Sequence, residues 1–144
     1  LAFNKLDLAQ VISDVQATVE QIAANSDKKI GVVGFCFGGL ISWLSAAQVN
    51  GLSAAIGYYG GGIAGHLDQS PRCPTMLHFG ELDAHIPLSD VDKIRQANPD
   101  VPVHVYAADH GFNCDHRGSF DAAAAELALS RSLEFFEQEL VVNA

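Results

Sequence analysis

The feature that most limits how this chain can fold is Ile30-Gly31-Val32-Val33-Gly34, a continuous apolar, β-branched run. A strand with one wet face would alternate polar and apolar side chains. A run without alternation reads as a strand buried on both faces, which is the habit of parallel sheets. Parallel strands cannot be joined by a tight turn and need crossovers, usually helices. The flanking segments supply them. Leu8, Val11, Ile12, Val15, Val19 and Ile22 recur at helical spacing behind an N-cap at Asp7, and Asn25-Ser26-Asp27 breaks the pattern. Gly38 to Val49 reads as a helix that stops at Asn50-Gly51. Ser53 to Tyr59 and Pro74 to Phe79 read as the next strands, ending at Gly60-Gly61-Gly62 and at Gly80. Leu88 to Ala97 reads as a short helix and Val101 to Ala107 as a fourth strand. Asp121 to Leu140 reads as a long Ala-rich helix with Leu127, Leu133, Phe136 and Leu140 inward. The class expected is α/β, a mainly parallel sheet of about four strands with helices on both faces. No repeat, low-complexity tract or linker interrupts it, so residues 1–144 are expected to form a single domain.

Composition narrows the partners. Eight Lys+Arg against seventeen Asp+Glu give a net charge of −9. That balance argues against nucleic acid and anionic membrane surfaces, both of which require clustered cations. No apolar run reaches the ~18–20 residues of a membrane helix. Leu1 to Leu8 carry Lys5 and Asp7 with no leader-like apolar core. Cys36, Cys73 and Cys114 are an odd number without a CxxC pair. They fit a reducing compartment, and the expected location is cytoplasmic.

In sheets of this kind, ligands bind beyond the carboxyl ends of the strands. The segments predicted there are Gly34-Phe35-Cys36-Phe37-Gly38-Gly39, Tyr58-Tyr59-Gly60, Gly80-Glu81-Leu82-Asp83-Ala84-His85 and Ala108-Asp109-His110-Gly111-Phe112. Gly34-x-Cys36-x-Gly38 has the form of the G-x-S-x-G nucleophile elbow with Cys in place of Ser. The turn is sharp, and its flanking positions must be small. The backbone N–H of Phe37 would face an oxyanion, and the positive end of the following helix would favour the Cys36 thiolate. Cys36, then Asp83, then His110 gives the chain order nucleophile, acid, base found in α/β-hydrolases. In that reading His110 takes the thiol proton and Asp83 fixes the imidazole tautomer. Each residue also has a plainer role: an inert packed Cys, a turn Asp after Gly80, a structural loop His. Three strand ends delivering all three in this order favour the catalytic reading.

With these motifs the chain resembles the dienelactone hydrolase family of the α/β-hydrolase fold. The resemblance rests on Ile30 to Gly39, Tyr58-Tyr59-Gly60, Gly80-Glu81-Leu82-Asp83-Ala84-His85-Ile86-Pro87, Ala108-Asp109-His110-Gly111-Phe112 and Ser132-Leu133-Glu134-Phe135-Phe136. It implies hydrolysis of a small ester or lactone by Cys36, His110 and Asp83 through an acyl-cysteine, with no metal or organic cofactor. It also implies a truncated form of the fold. The family's N-terminal strands, which hold the second oxyanion donor, an acidic residue beside the thiol and a substrate-binding arginine, have no counterpart here. The family's arginine shortly after the histidine is matched only by Arg117, at a different spacing. The Ile30–Gly34 strand, central in the full fold, would then be an exposed apolar edge. Self-association, as a homodimer covering that edge, is the expectation. The alternative is an inactive relic of the fold serving as an interaction module.

Other residues bear on the site. Tyr59, His85, Phe112 and Arg117 are candidates for substrate contact, Tyr59 because it ends a strand at the catalytic face. Cys114 lies close to His110 and could act as a second thiol, while Cys73 reads as packing. His104, His110, Cys114, Asp115 and His116 match no standard zinc spacing, so no metal site is expected. Gly60-Gly61-Gly62 lacks the Lys-Ser/Thr of a phosphate loop.

Overall fold

Apolar segments bounded by turn residues do become a parallel sheet in the computed structural model, which describes residues 6–143. Part of the stretch Leu1 to Leu8 lies outside the described residues. The order is α1 Leu8–Asn25, β1 Ile30–Phe35, α2 Phe37–Gln48, β2 Leu52–Tyr58, β3 Thr75–Gly80, α3 Leu88–Ala97, β4 Val103–Tyr106 and α4 Ala122–Phe136. The strands pair in parallel in the order β1-β2-β3-β4. Register places Phe35 beside Tyr58, Tyr58 beside His78, and Gly80 beside Tyr106. All four carboxyl ends therefore open on one rim.

The helices divide unevenly between the two faces. A Cβ on Gly34 would strike the Gly38 carbonyl and Ser42 of α2, whereas one on Gly31 would meet Phe136 and Leu140. Residues 31 and 34 point to opposite faces of β1, so α2 and α4 cover opposite sides. Residues Gly39 to Ala46 of α2 are all buried. A helix apolar all round must be enclosed all round, and α1 closes its outer side through Ile12 and Val19. Asp7 caps α1 as expected, accepting from the Ala9 amide at 3.0 Å. The α3 crossover buries Val91 and Ile94 on the same side as α2.

Two expectations are corrected. β1 is not buried on both faces: Val33 is 46% and Phe35 44% exposed. The strands enclosed on both faces are the two inner ones, β2 from Ala54 onward and the whole of β3. The inner face of the last helix was also misread. Leu127 and Leu133 are exposed, and the buried residues are Ala124, Ala128 and Ser132. Small side chains let α4 approach the sheet closely, and Ser132 is bonded there. Phe136 and Leu140 do face β1, although α4 gives way to a π-helical turn at Glu137–Val142.

Candidate active site

The turn after β1 has the backbone that an elbow requires. Cys36 caps α2 with φ 54° and ψ −121°, a positive-φ conformation rare for a side-chain-bearing residue. Such strain is of order 1–3 kcal/mol and persists only where the surroundings enforce it. They do so here. The Cys36 amide donates to the Tyr58 carbonyl at 3.1 Å, and the Gly39 amide donates to the Cys36 carbonyl at 2.8 Å. The small residues are required by contact. A Cβ on Gly34 would lie 1.9 Å from the Gly38 oxygen, and one on Gly39 2.7 Å from the Tyr58 oxygen. Gly38, the second glycine of the motif, instead faces open space. The motif's packing demand therefore falls on Gly34 and Gly39.

Asp83 and His110 meet because two loops are zipped together. The Tyr106 carbonyl accepts from the amides of Glu81 and Ala108, both at 2.8 Å, and Leu82 donates to the Ala108 carbonyl at 3.1 Å. Gly80 permits this approach, since a Cβ there would lie 2.2 Å from the Ala108 oxygen. His110 Nδ1 then lies 2.6 Å from Asp83 Oδ2, with the Asp83 side chain 1% and the His110 side chain 21% exposed. The other Asp83 oxygen accepts from the amides of His85 at 2.8 Å and Ile86 at 3.2 Å. A buried carboxylate held on both oxygens is itself fixed in place, and such a group can hold an imidazole in one orientation.

Beside Cys36 opens a cavity of about 380 Å³, walled by Phe35, Tyr59, Gly111, Asn113, Cys114, Asp115 and Arg117. Tyr59, itself at φ 36°, links the two halves of the site. Its ring borders the cavity and lies 5.1 Å from the His110 ring. Burial and the nearby Cys36 push its hydroxyl up to about 12, although the Asn113 backbone bonds it. Arg117 reaches the cavity by folding over Gly111, whose φ of 79° turns the loop back.

The remaining candidates divide. Tyr59 and Arg117 stand at the cavity. Phe112 does not: it is fully buried among Tyr58, Tyr59 and Tyr106. His85 lies outside the cavity lining, its ring 5.4 Å from that of His110. Phe37 opens α2 beside Cys36. Asn113 has no signal in the sequence because irregular loop backbone, not periodicity, carries it there, while Phe35 comes to the cavity as the last residue of β1. His104 turns away to stack on His78. Among the described residues no three His, Cys, Asp or Glu side chains gather as a metal site. No helix among them is long and apolar enough to cross a membrane.

One electrostatic expectation is reversed. Burial pushes the Cys36 thiol up, and Asp83 and Cys114 add to the rise while Arg117 opposes it. Desolvation of the anion is the largest of these influences, and their net direction favours the thiol over the thiolate. Iodoacetamide is expected to alkylate Cys36 with an inflection above the ~8.5 of a free thiol. Arg117→Ala should move that inflection higher, as read by per-cysteine mass spectrometry across pH 6 to 10.

Comparison with known proteins gives the family. Residues 2–140 match the model of the dienelactone hydrolase family. A carboxymethylenebutenolidase of Pseudomonas putida is 33% identical over 92% of this chain and 59% of its own length. A relative in Escherichia coli O157:H7 named for the same activity is 34% identical over 93% of this chain and 56% of its own. The crystal structure of a Klebsiella pneumoniae protein named for the family superposes with a TM-score of 0.85, at 31% identity over 94% of this chain and 63% of that one. The chain thus spans little more than half the length of the curated relatives it matches. Matching that family's model over nearly its whole length, the chain belongs to the dienelactone hydrolase family.

Proposed function

We propose that Cys36, His110 and Asp83 hydrolyse a small ester or lactone through an acyl-cysteine. The observation that carries this reading is the 2.6 Å Asp83–His110 pair on the rim where Cys36 sits at positive φ. Asp83 accepts the Nδ1 proton of His110 and leaves Nε2 as the base. As Cys36 Sγ attacks the carbonyl carbon, its proton passes to Nε2, and the carbonyl oxygen becomes an oxyanion facing the Phe37 amide. Collapse breaks the ester C–O bond, and the proton on Nε2 goes to the departing alkoxide. Water then attacks the acyl-cysteine with His110 again as base, releasing the acid and the thiol. A resting thiol suits this sequence, since the proton leaves only when a substrate is in place. A site lacking one of its oxyanion donors would turn over roughly 10²–10³-fold more slowly.

The test is acyl trapping with nitrophenyl acetate. An acetyl group on the Cys36 peptide that is absent in His110→Ala supports the reading. Equal labelling of all three cysteines, or none, would point to the inactive relic.

The same reading includes self-association through β1, which pairs only with β2 among the described strands and exposes Val33 and Phe35. An open apolar edge is a template for a second strand. Light scattering at micromolar concentration should give a dimer mass, and Val33→Lys should return it to the monomer. A monodisperse wild-type monomer would refute this. The three free thiols fit a reducing, cytoplasmic setting.

A further inference from the structure

On the face of the sheet covered by α4 runs a chain of bonded polar groups that no catalytic step uses. His78, in β3, is fully buried. Its Nδ1 lies 2.8 Å from the Tyr106 hydroxyl and its Nε2 3.0 Å from Ser132 Oγ. Ser132 Oγ is 2.8 Å from the Tyr58 hydroxyl, and Arg131 donates to the Tyr106 oxygen at 3.1 Å. The protons have a consistent direction. Arginine only donates, so the Tyr106 oxygen accepts from it and passes its own proton to His78 Nδ1. Neutral His78 then donates from Nε2 to Ser132, and Ser132 donates to Tyr58. The reverse direction would make the Tyr106 oxygen accept from both Arg131 and His78, whereas in this one each oxygen accepts once and the spare proton is that of Tyr58, at the end of the chain. With the Arg131 cation at its head, each link polarises the next.

The backbone carbonyls of the three strand residues in this chain are the ones that hold the site. The Tyr58 carbonyl accepts from the Cys36 amide at 3.1 Å, and the His78 carbonyl from the Tyr59 amide at 2.7 Å. The Tyr106 carbonyl accepts from Glu81 and Ala108, the roots of the Asp83 and His110 loops. Side chains locked together below therefore fix the carbonyls that anchor every loop above.

We propose that the Tyr58–Ser132–His78–Tyr106 chain is a brace that positions Cys36 and the Asp83–His110 pair, with His78 as its central positioning residue. The proposal rests on the reading of Asp83 and His110 as the orienter and base. It predicts that loosening the brace loosens the 2.6 Å bond above it, without any substrate present.

The readout is the low-field proton resonance of His110 Nδ1–H in the folded, unliganded chain, and its exchange with solvent. Tyr106→Phe and Ser132→Ala each remove one polar atom and little volume. Each should speed that exchange about tenfold, the change expected for one lost buried hydrogen bond. Ser45→Ala, which removes a buried hydroxyl of α2 with no bonded partner, should leave it unchanged. Exchange as slow as wild type in both brace variants, with only the melting temperature lowered, would overturn the brace and leave the catalytic reading standing. Absence of the low-field proton in the wild-type chain would overturn the Asp83–His110 pairing, and the brace with it.

Discussion

Asp83→Asn is expected to lower turnover about 10⁴-fold while the protein stays folded, the scale seen when a triad aspartate is made neutral elsewhere. The geometry explains why the substitution separates catalysis from stability. One carboxylate oxygen of Asp83 serves the loop, accepting from the His85 and Ile86 amides. The other serves His110 alone. Asparagine keeps an oxygen for the amides and turns its NH₂ toward His110. An amide nitrogen donates and does not accept, so His110 Nδ1 must become the acceptor. Its proton then moves to Nε2, and the imidazole can no longer take the thiol proton. Asp83→Ala removes both functions and strands the buried Ile86 amide, at a further ~1–3 kcal/mol, together with the part-buried His85 amide. Parallel measurements of ester turnover and thermal melting check this. Near-wild-type melting with lost turnover in Asp83→Asn, and loss of both in Asp83→Ala, is the expected pattern. Unimpaired turnover in Asp83→Asn would remove Asp83 from the mechanism.

Much of this arrangement was legible in the sequence, and the boundary between what was and was not is physical. Local signals worked where one residue's chemistry decides the outcome. Asp7 can cap a helix on its own, and Gly34 and Gly80 mark close backbone approaches that no other residue survives. The ends of three apolar runs were legible too, and Cys36, Asp83 and His110 lie just beyond β1, β3 and β4 on the same rim. Signals failed where the outcome depends on what lies opposite. Leu127 and Leu133 were assigned inward because leucine usually is, yet α4 turns its alanines to the sheet because the approach there is close. Phe112 stands next to a candidate base in sequence but is packed under Tyr59 in space. The Cys36 thiol was expected low from its helix terminus, and burial reversed the sign. The polar chain around His78 joins three strands to one helix, so no sequence window contains it.

That chain carries the largest stability effect. Burial, with His104 and Arg131 nearby, holds His78 down to about 3. Its ring nitrogens face the Tyr106 hydroxyl and Ser132, with Tyr58 and His104 against the ring, and no carboxylate bonds it. The unfolded chain would protonate the same residue near 6.5. A histidine with a depressed native value stabilises the fold fully above its unfolded value and loses that contribution as pH falls toward the native one. Between pH 6.5 and 3 the unfolded state therefore binds the extra proton, and the linkage is worth about 4–5 kcal/mol over the whole window. His104 is lowered as well and pulls the same way. Carboxylates paired in the native state also release stability at acid pH, so the diagnostic quantity is the difference from a variant. His78→Gln cannot titrate but keeps a donor toward Ser132. It should be less stable than wild type at pH 7, because the Tyr106 hydroxyl loses its acceptor. Its urea midpoint should then fall less steeply than that of wild type from pH 6.5 to 4, so that the two curves converge. Parallel curves across that window would mean that native His78 takes up its proton as readily as the unfolded chain does, and the neutral hydrogen-bond chain would not hold it down.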